Sequence, residues 1–393
     1  MRGQYRWLPI GLKKWTLFGL LLACHTGQAQ NTPWATRYFR NQTVSFKTHE
    51  VKPFVVEVNN TGYRDTLYQA LSENGEPVYY YRKILQEVCF EGECRLLNAY
   101  LYWNITGSYL GLELPPEEFL SKSEHTPFVP SEYAELNKIL ADSLSPLANF
   151  AYEDLIVKDR KPPSGLDAVT GATTTNIAGY VVDGAVYTTH TLWHLVYGPT
   201  RQEVMRLTAE VLTPELLGEI LQSADMGDRY WALNHISHLQ RLPRQLAKQV
   251  LALMDDKQYN LSERAISSLQ PQQLGDGFLQ GEIVKKIDQV GYSLKPQLIV
   301  KLGEAPFLTE GVAQQLATYL KQSNGKPLIT IFDVLQKQQV SEPKVLSIVS
   351  DLLANENRFI ANNAYKFLSG IAIKDRVILG KMEAYEARLA DGY

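Results

Sequence analysis

The stretch Asp167-Ala168-Val169-Thr170-Gly171-Ala172-Thr173-Thr174-Thr175 concentrates hydroxyls and small residues just ahead of Asn176 to Tyr197, a run whose pattern is compatible with one long helix. At a helix start, unpaired backbone N–H groups and the positive end of the helix dipole suit a phosphate. Gly171 and Ala172 let a bulky ligand approach the backbone closely. The same hydroxyls also suit an ordinary N-cap, in which Thr170 or Thr173 satisfies first-turn amides. Capping alone does not require Asp167, Gly171 and Ala172 together.

These residues resemble the FMN-binding domain of the NqrC and RnfG subunits of membrane redox complexes and of related extracytoplasmic flavoproteins. That family's signature is Asp-x-x-Ser/Thr-Gly-Ala-Thr/Ser, and Asp167, Thr170, Gly171, Ala172 and Thr173 fill its fixed positions. The resemblance spans roughly residues 75 to 197 and is specific around the motif. It implies a flavin transferase that joins the FMN phosphate to the Thr173 hydroxyl as a phosphoester, with Asp167 part of the recognition motif. FMN held without a covalent bond is the intermediate case. A flavin carries the redox chemistry itself while the protein orients and tunes it, so no catalytic acid or nucleophile is demanded and an electron carrier is expected rather than a turnover enzyme. The region before the motif is unlike the compact flavin domain of those subunits, so the ring pocket does not transfer residue by residue. Tyr187 and Trp193, downstream on the expected helix, are the candidates for ring contacts.

Other chemistry-bearing groups are weaker. His190 and His194 share a helix face by spacing, but a metal needs a third ligand and none is identifiable, so packing is the expectation. His235 and His238, beside Trp231, read as a partly buried helix face. Cys89 and Cys94 flank Phe90-Glu91-Gly92-Glu93 and suit a disulfide staple across a hairpin in an oxidising compartment, ahead of a redox-active dithiol. Tyr79-Tyr80-Tyr81 with Tyr100, Tyr102 and Trp103 would either line a flavin cleft or fill a sheet. Asn104-Ile105-Thr106 matches a glycosylation sequon.

The elements that must position these groups fall into two parts. At 393 residues, with 45% hydrophobic and 21% charged residues and a net charge of -3, the chain is long enough for two cores and carries no nucleic-acid footprint. Residues 1–30 read as a signal segment: Arg2, Arg6, Lys13 and Lys14 precede the apolar run Trp15 to Ala23, too short to span a bilayer comfortably. Leu21-Leu22-Ala23-Cys24 resembles a lipobox, which would lipidate Cys24. Gly27-Gln28-Ala29-Gln30 offers a competing soluble cleavage site.

Residues 31–199 read as an α+β, FMN-binding-like domain. Strand-like runs stand at Phe54 to Val58, Val78 to Val88, Arg95 to Trp103 and Tyr109 to Leu114, which suggests an antiparallel meander, and a helix runs from Pro130 to about Asp142. The stretch from 31 to about 76 is otherwise mixed. Residues 200–393 read as an all-α, HEAT-like solenoid: segments ending in Leu269, Leu302, Leu335 and Leu368 repeat every 33 residues, with a degenerate copy ending near Leu239.

The expectation is an exported, flavinylated electron-transfer protein, periplasmic or membrane-anchored through Cys24, whose solenoid docks a membrane or extracytoplasmic redox partner. A non-redox cell-envelope interaction protein with a degenerate flavin module is the alternative. A thiol oxidoreductase using Cys89 and Cys94 ranks third.

Overall fold

The computed structural model describes residues 36–39, 48–58, 62–88, 95–122, 125–151, 155 and 177–390. Six strands form one antiparallel sheet among them: β1 (Thr36–Phe39), β2 (Thr48–Glu57), β3 (Arg64–Ser72), β4 (Pro77–Gln86), β5 (Leu97–Asn104) and β6 (Tyr109–Leu114), in the order β1-β6-β5-β4-β3-β2. The alternation of β4 and β5 sends Tyr80, Ile84, Ala99, Leu101 and Trp103 to one buried face. Helices α1 (Pro130–Ala141), α2 (Val186–Tyr197) and α3 (Pro199–Glu210) touch the sheet at β1 and β6, β5, and β2 respectively. At the start of α1 the Glu132 carboxylate accepts the Val129 N–H at 2.8 Å and pairs with Lys122 at 2.7 Å.

Two strands have no counterpart in the sequence reading. The first is β1, four residues long and paired with β6. The second is β3, whose Gln69, Ala70, Leu71 and Ser72 are all buried, so its second half shows no period-two signal. Its residue types are also poor strand formers. Burial of Gln69 is tolerated because its side-chain amide donates to the Tyr80 hydroxyl at 2.7 Å.

The remaining helices form hairpins: α4 (Pro214–Ile220) with α5 (Met226–Ile236), α6 (Arg244–Leu253) with α7 (Tyr259–Ser268), α8 (Gly277–Lys286) with α9 (Lys295–Leu302), α10 (Glu310–Leu320) with α11 (Gly325–Lys337) and α12 (Pro343–Asp351) with α13 (Arg358–Ser369). The last helix, α14 (Arg376–Ala390), packs on α12. Each hairpin stacks on the next, even-numbered helix on even and odd on odd, so two layers of helices share one continuous core. Leu269, Leu302, Leu335 and Leu368, the residues that set the period, are fully buried.

Polar side chains tie successive copies together. Gln273 donates to the Ile236 and Leu239 carbonyls, Lys301 to Leu269, and Gln338 to Gly303 and Ala305. Each bond satisfies a carbonyl at the end of a helix one copy back, where no intrahelical donor remains.

The sheet meets the helices through a buried polar seam. At the β5–β6 turn the Asn104 side-chain carbonyl accepts the Thr106 and Ser108 backbone amides, and its amide donates to Asp228 Oδ1 at 2.9 Å. The Thr106 hydroxyl donates to the same carboxylate, and Ser223 donates to Asp228 Oδ2 at 2.7 Å. The sequon match at Asn104 thus falls on a buried residue whose amide is engaged with Asp228. Gly107, at φ +81°, presses against α3: a Cβ there would lie 2.9 Å from Met205 Cγ.

Removing Asp228 takes an acceptor from three buried donors, at a cost of ~1–3 kcal/mol for each group left unsatisfied. Asp228→Ala should therefore lower the urea midpoint well beyond the ~1 kcal/mol typical of point mutants. Gly107→Ala should also destabilise, through both its φ and its contact with Met205. A midpoint unchanged in Asp228→Ala would remove the seam from the list of stabilising features.

Candidate functional site

The motif from Asp167 to Thr175, with its candidate residues Asp167, Thr170, Gly171, Ala172 and Thr173, lies outside the described residues, as do Cys24, Cys89, Cys94 and the leader. Its flanks are described. Leu155 and Ile177 bracket it, and both are buried. After Ile177 come a short 3-10 turn (Ala178–Tyr180), the Asp183-Gly184 turn and only then α2.

The helix expected from Asn176 therefore begins ten residues later, at Val186. Its N-cap is Ala185, which offers no side-chain cap. The cause is local: Val181 and Val182 are buried in extended backbone, Val182 N–H donates to Thr189 Oγ1 at 3.3 Å, and a turn must follow before the chain can coil. The dipole of α2 is thus not delivered next to Thr173 in sequence, and the N-cap position of this helix belongs to Ala185.

Along α2, one polar side chain after another reaches a backbone carbonyl of the preceding segment. Thr188 Oγ1 donates to Ser121 O at 3.1 Å, His190 Nε2 to Phe150 O at 2.8 Å, Trp193 Nε1 to Asp142 O at 2.9 Å, His194 Nε2 to Leu147 O at 3.1 Å and Tyr197 to Leu140 O at 2.8 Å. The bonds from Trp193 and Tyr197 close the carboxyl end of α1, whose last carbonyls have no intrahelical donor. Trp193 is 4% exposed and packs on Tyr197 with ring centroids 4.7 Å apart.

This bears on the ring-contact expectation for Trp193: its ring packs on Tyr197 and His194 of its own helix, and its N–H bonds to the end of α1. Tyr187, in the first turn of α2, is half-buried against the core and is the expected ring contact with exposed surface left. His190 and His194 do share a face, with ring centroids 4.2 Å apart, but both rings donate to carbonyls and so serve packing. His235 likewise stacks on Trp231 at 3.8 Å and bonds to its carbonyl. Among the described residues no three His, Cys, Asp or Glu side chains converge on a metal site.

The pleat divides the tyrosine cluster. Tyr80 and Trp103 point into the core, where the Trp103 indole donates to Val196 O at 2.8 Å and the Tyr80 hydroxyl bonds Thr208 at 3.0 Å. Tyr79, Tyr81, Tyr100 and Tyr102 occupy the other face with Tyr68, and Tyr81 stacks between Tyr68 at 4.9 Å and Tyr102 at 5.4 Å. Beside Tyr80 in the core, Arg82 donates to Thr200 and lies 3.6 Å from Asp65, partners too far away in sequence for any local pattern to pair them. Burial pulls the Arg82 guanidinium below its usual range, and Asp65 opposes that shift.

No protein-family model matches the chain, and no curated protein matches it. Among solved structures, a designed armadillo repeat protein is 15% identical at a TM-score of 0.28, covering 45% of this chain and 89% of its own. The complex of CpcE and CpcF of phycocyanin lyase from Nostoc sp. PCC7120 is 16% identical at a TM-score of 0.30, covering 42% of this chain and 67% of its own. At these scores neither likeness carries an argument.

The His194 pocket sets a pH dependence. Burial pushes its pKa below the ordinary value, partly offset by its bonds to the Leu147 and Phe150 carbonyls. The unfolded chain then takes up the proton first. Stability is full above the unfolded pKa of ~6.5 and falls as pH drops through the interval down to the lower folded value. His235 shifts in the same direction, again chiefly by burial. Urea midpoints measured from about pH 7 to pH 5 should fall, and His194→Gln should flatten the slope in part. An identical slope in that variant would exclude His194 as a contributor.

Proposed function

We propose that the chain is an extracytoplasmic flavoprotein that carries FMN as a phosphoester on Thr173 and passes electrons to or from a docked redox protein. The observation that supports this reading is the motif itself, Asp167, Thr170, Gly171, Ala172 and Thr173 at the signature's fixed positions. When bound, FMN supplies the electron-accepting ring. The chain's own part is to present the Thr173 hydroxyl and the Asp167 motif to a flavin transferase, and to set the tether beside a rigid unit. Buried Leu155 and Ile177 on either side of the motif fit that second task. With Trp193 committed elsewhere, the ring would meet Tyr187 among the expected contacts.

The helical stack from α4 onward is read as a HEAT-like solenoid, the extended surface on which such a partner would dock. Residues 31–199 and 200–393 are the corresponding modules, with α3 holding them together through Thr200 and Thr208. The sequence of the leader and Cys24 supports reading it as a soluble or lipid-anchored protein outside the cytoplasm. Among the described residues no helix is long and apolar enough to cross a membrane.

The alternative, a non-redox envelope interaction protein, draws on the stack's exposed aromatic residues Tyr259, Tyr292, Phe307 and Phe359. One preparation separates the two. Full-length protein exported together with a flavin transferase should fluoresce in a denaturing gel and gain the mass of FMN less water, and Thr173→Val should lose both signals. Label persisting in the variant would sink the attachment site. A colourless wild-type protein from the same cells would favour the interaction protein.

A further inference from the structure

One copy of the helical repeat departs from the others at its loop edge. Tyr259 and Tyr292 stand one 33-residue step apart, each at the entry to the second helix of its hairpin, and both are exposed. Phe359, one position beyond the equivalent place in the last copy, is exposed as well. The intervening copy has Gly325 there. A Cβ on Gly325 would come 2.9 Å from the Tyr292 hydroxyl oxygen, and its φ of +54° also disfavours a side chain.

A cavity of 240 Å³ lies between the α8–α9 turn and the α10–α11 turn, lined by Tyr292 and by Asn324, the neighbour of Gly325. Ile287, Ile299 and Pro327 give it an apolar floor. Its polar groups are largely unspent. Asp288 Oδ2 accepts the Tyr319 hydroxyl at 2.6 Å, while Oδ1 has no protein donor among the described residues. Burial and the Asp288 carboxylate push the Tyr319 phenol up, which keeps it the donor in that bond. The Gln322 and Asn324 amides make no side-chain bond to a described residue, and Asn324, although the N-cap of α11, does not cap it.

The lining selects a ligand class. One carboxylate and one ammonium, from Asp288 and Lys295, leave no charge excess to favour an anion or a cation. Two amides and an open carboxylate oxygen offer donors and acceptors in mixture, as vicinal hydroxyls require. Tyr292, 57% exposed, supplies an apolar ring with a polar tip. The volume is below the ~300–1,000 Å³ of clefts that take drug-sized ligands, and so suits one ring. We propose that this cavity binds a neutral pyranose sugar, as the terminal residue of a glycan, with its C–H face on Tyr292 and its hydroxyls on Asp288, Gln322 and Asn324.

This inference is independent of the flavin, and a colourless protein would leave it standing. Full-length protein should be titrated with methyl β-glucoside and with N-acetylglucosamine by saturation-transfer NMR and calorimetry, and with inorganic phosphate for comparison. Saturable binding of a sugar at about millimolar affinity is expected, as few contacts allow no more. Tyr292→Ala and Gln322→Ala, both surface changes, should each weaken it about tenfold. Gly325→Ala, whose Cβ would push the Tyr292 hydroxyl aside, should weaken it as well. Tyr259→Ala, one repeat away and outside the lining of this cavity, should leave it unchanged. Absence of binding by both sugars, equal binding in Tyr292→Ala, or displacement by phosphate would each overturn the assignment.

Discussion

The Asp228 carboxylate is the constraint around which the molecule is arranged. A fully buried carboxylate is costly unless donors surround it, and here they come from both halves of the fold: Asn104 and Thr106 from a strand turn, Ser223 from the loop between α4 and α5. The turn can reach Asp228 only because Gly107 lets its backbone lie against α3. Once that contact is made, the inner face of the sheet is set against α3, and Tyr80 and Arg82 find Thr208 and Thr200. Geometry at one acceptor thus fixes the docking of a sheet on a helical array.

The helical array uses a related device many times over. Apolar burial would hold its layers together without fixing their spacing, because hydrophobic contact is not directional. The side chains of Gln273, Lys301 and Gln338 add direction, each reaching back to a carbonyl that the previous copy cannot satisfy by itself. Ion pairs such as Lys286 with Asp255 and Lys381 with Asp351 repeat the step on the surface of the even-numbered layer. Exposed pairs of this kind contribute little on their own. The buried carbonyl contacts therefore matter more to register.

Periodicity made the helical half legible. Buried leucines every 33 residues expose the repeat even where helix ends are indistinct, and α9 occupies the expected Lys295 to Leu302. The alternating strands β4 and β5 were equally plain, and β6 coincides with Tyr109 to Leu114. What stayed hidden depended on partners far away in sequence. Gln69 in β3 looks unfit for a core until Tyr80 is placed beside it, and Asn104 looks like a glycan acceptor until Asp228 appears. Trp193 is similar: spacing places it on a helix face but cannot reveal that the open end of α1 lies across from it. The motif around Thr173 was legible as residues alone, and its geometry is no part of the described fold.

The late start of α2 removes one general physical reason for that motif. If Thr173 had opened the helix, phosphate affinity would follow from the backbone alone, and many sequences would serve as well. With Val186 as the first helical residue, that general explanation is lost and the particular residues carry the weight. Meanwhile α2 spends its polar side chains on holding α1 and the Pro146–Asn149 turn, so its part is to brace the unit that bears the motif. The unit in turn cannot be separated from the helices after it. A cut at residue 199 would take Thr200, Thr208 and Asp228 away from Arg82, Tyr80, Asn104 and Thr106 at once, removing one bond from each of four buried polar groups. The sheet and the helical stack are therefore held as one mechanical body.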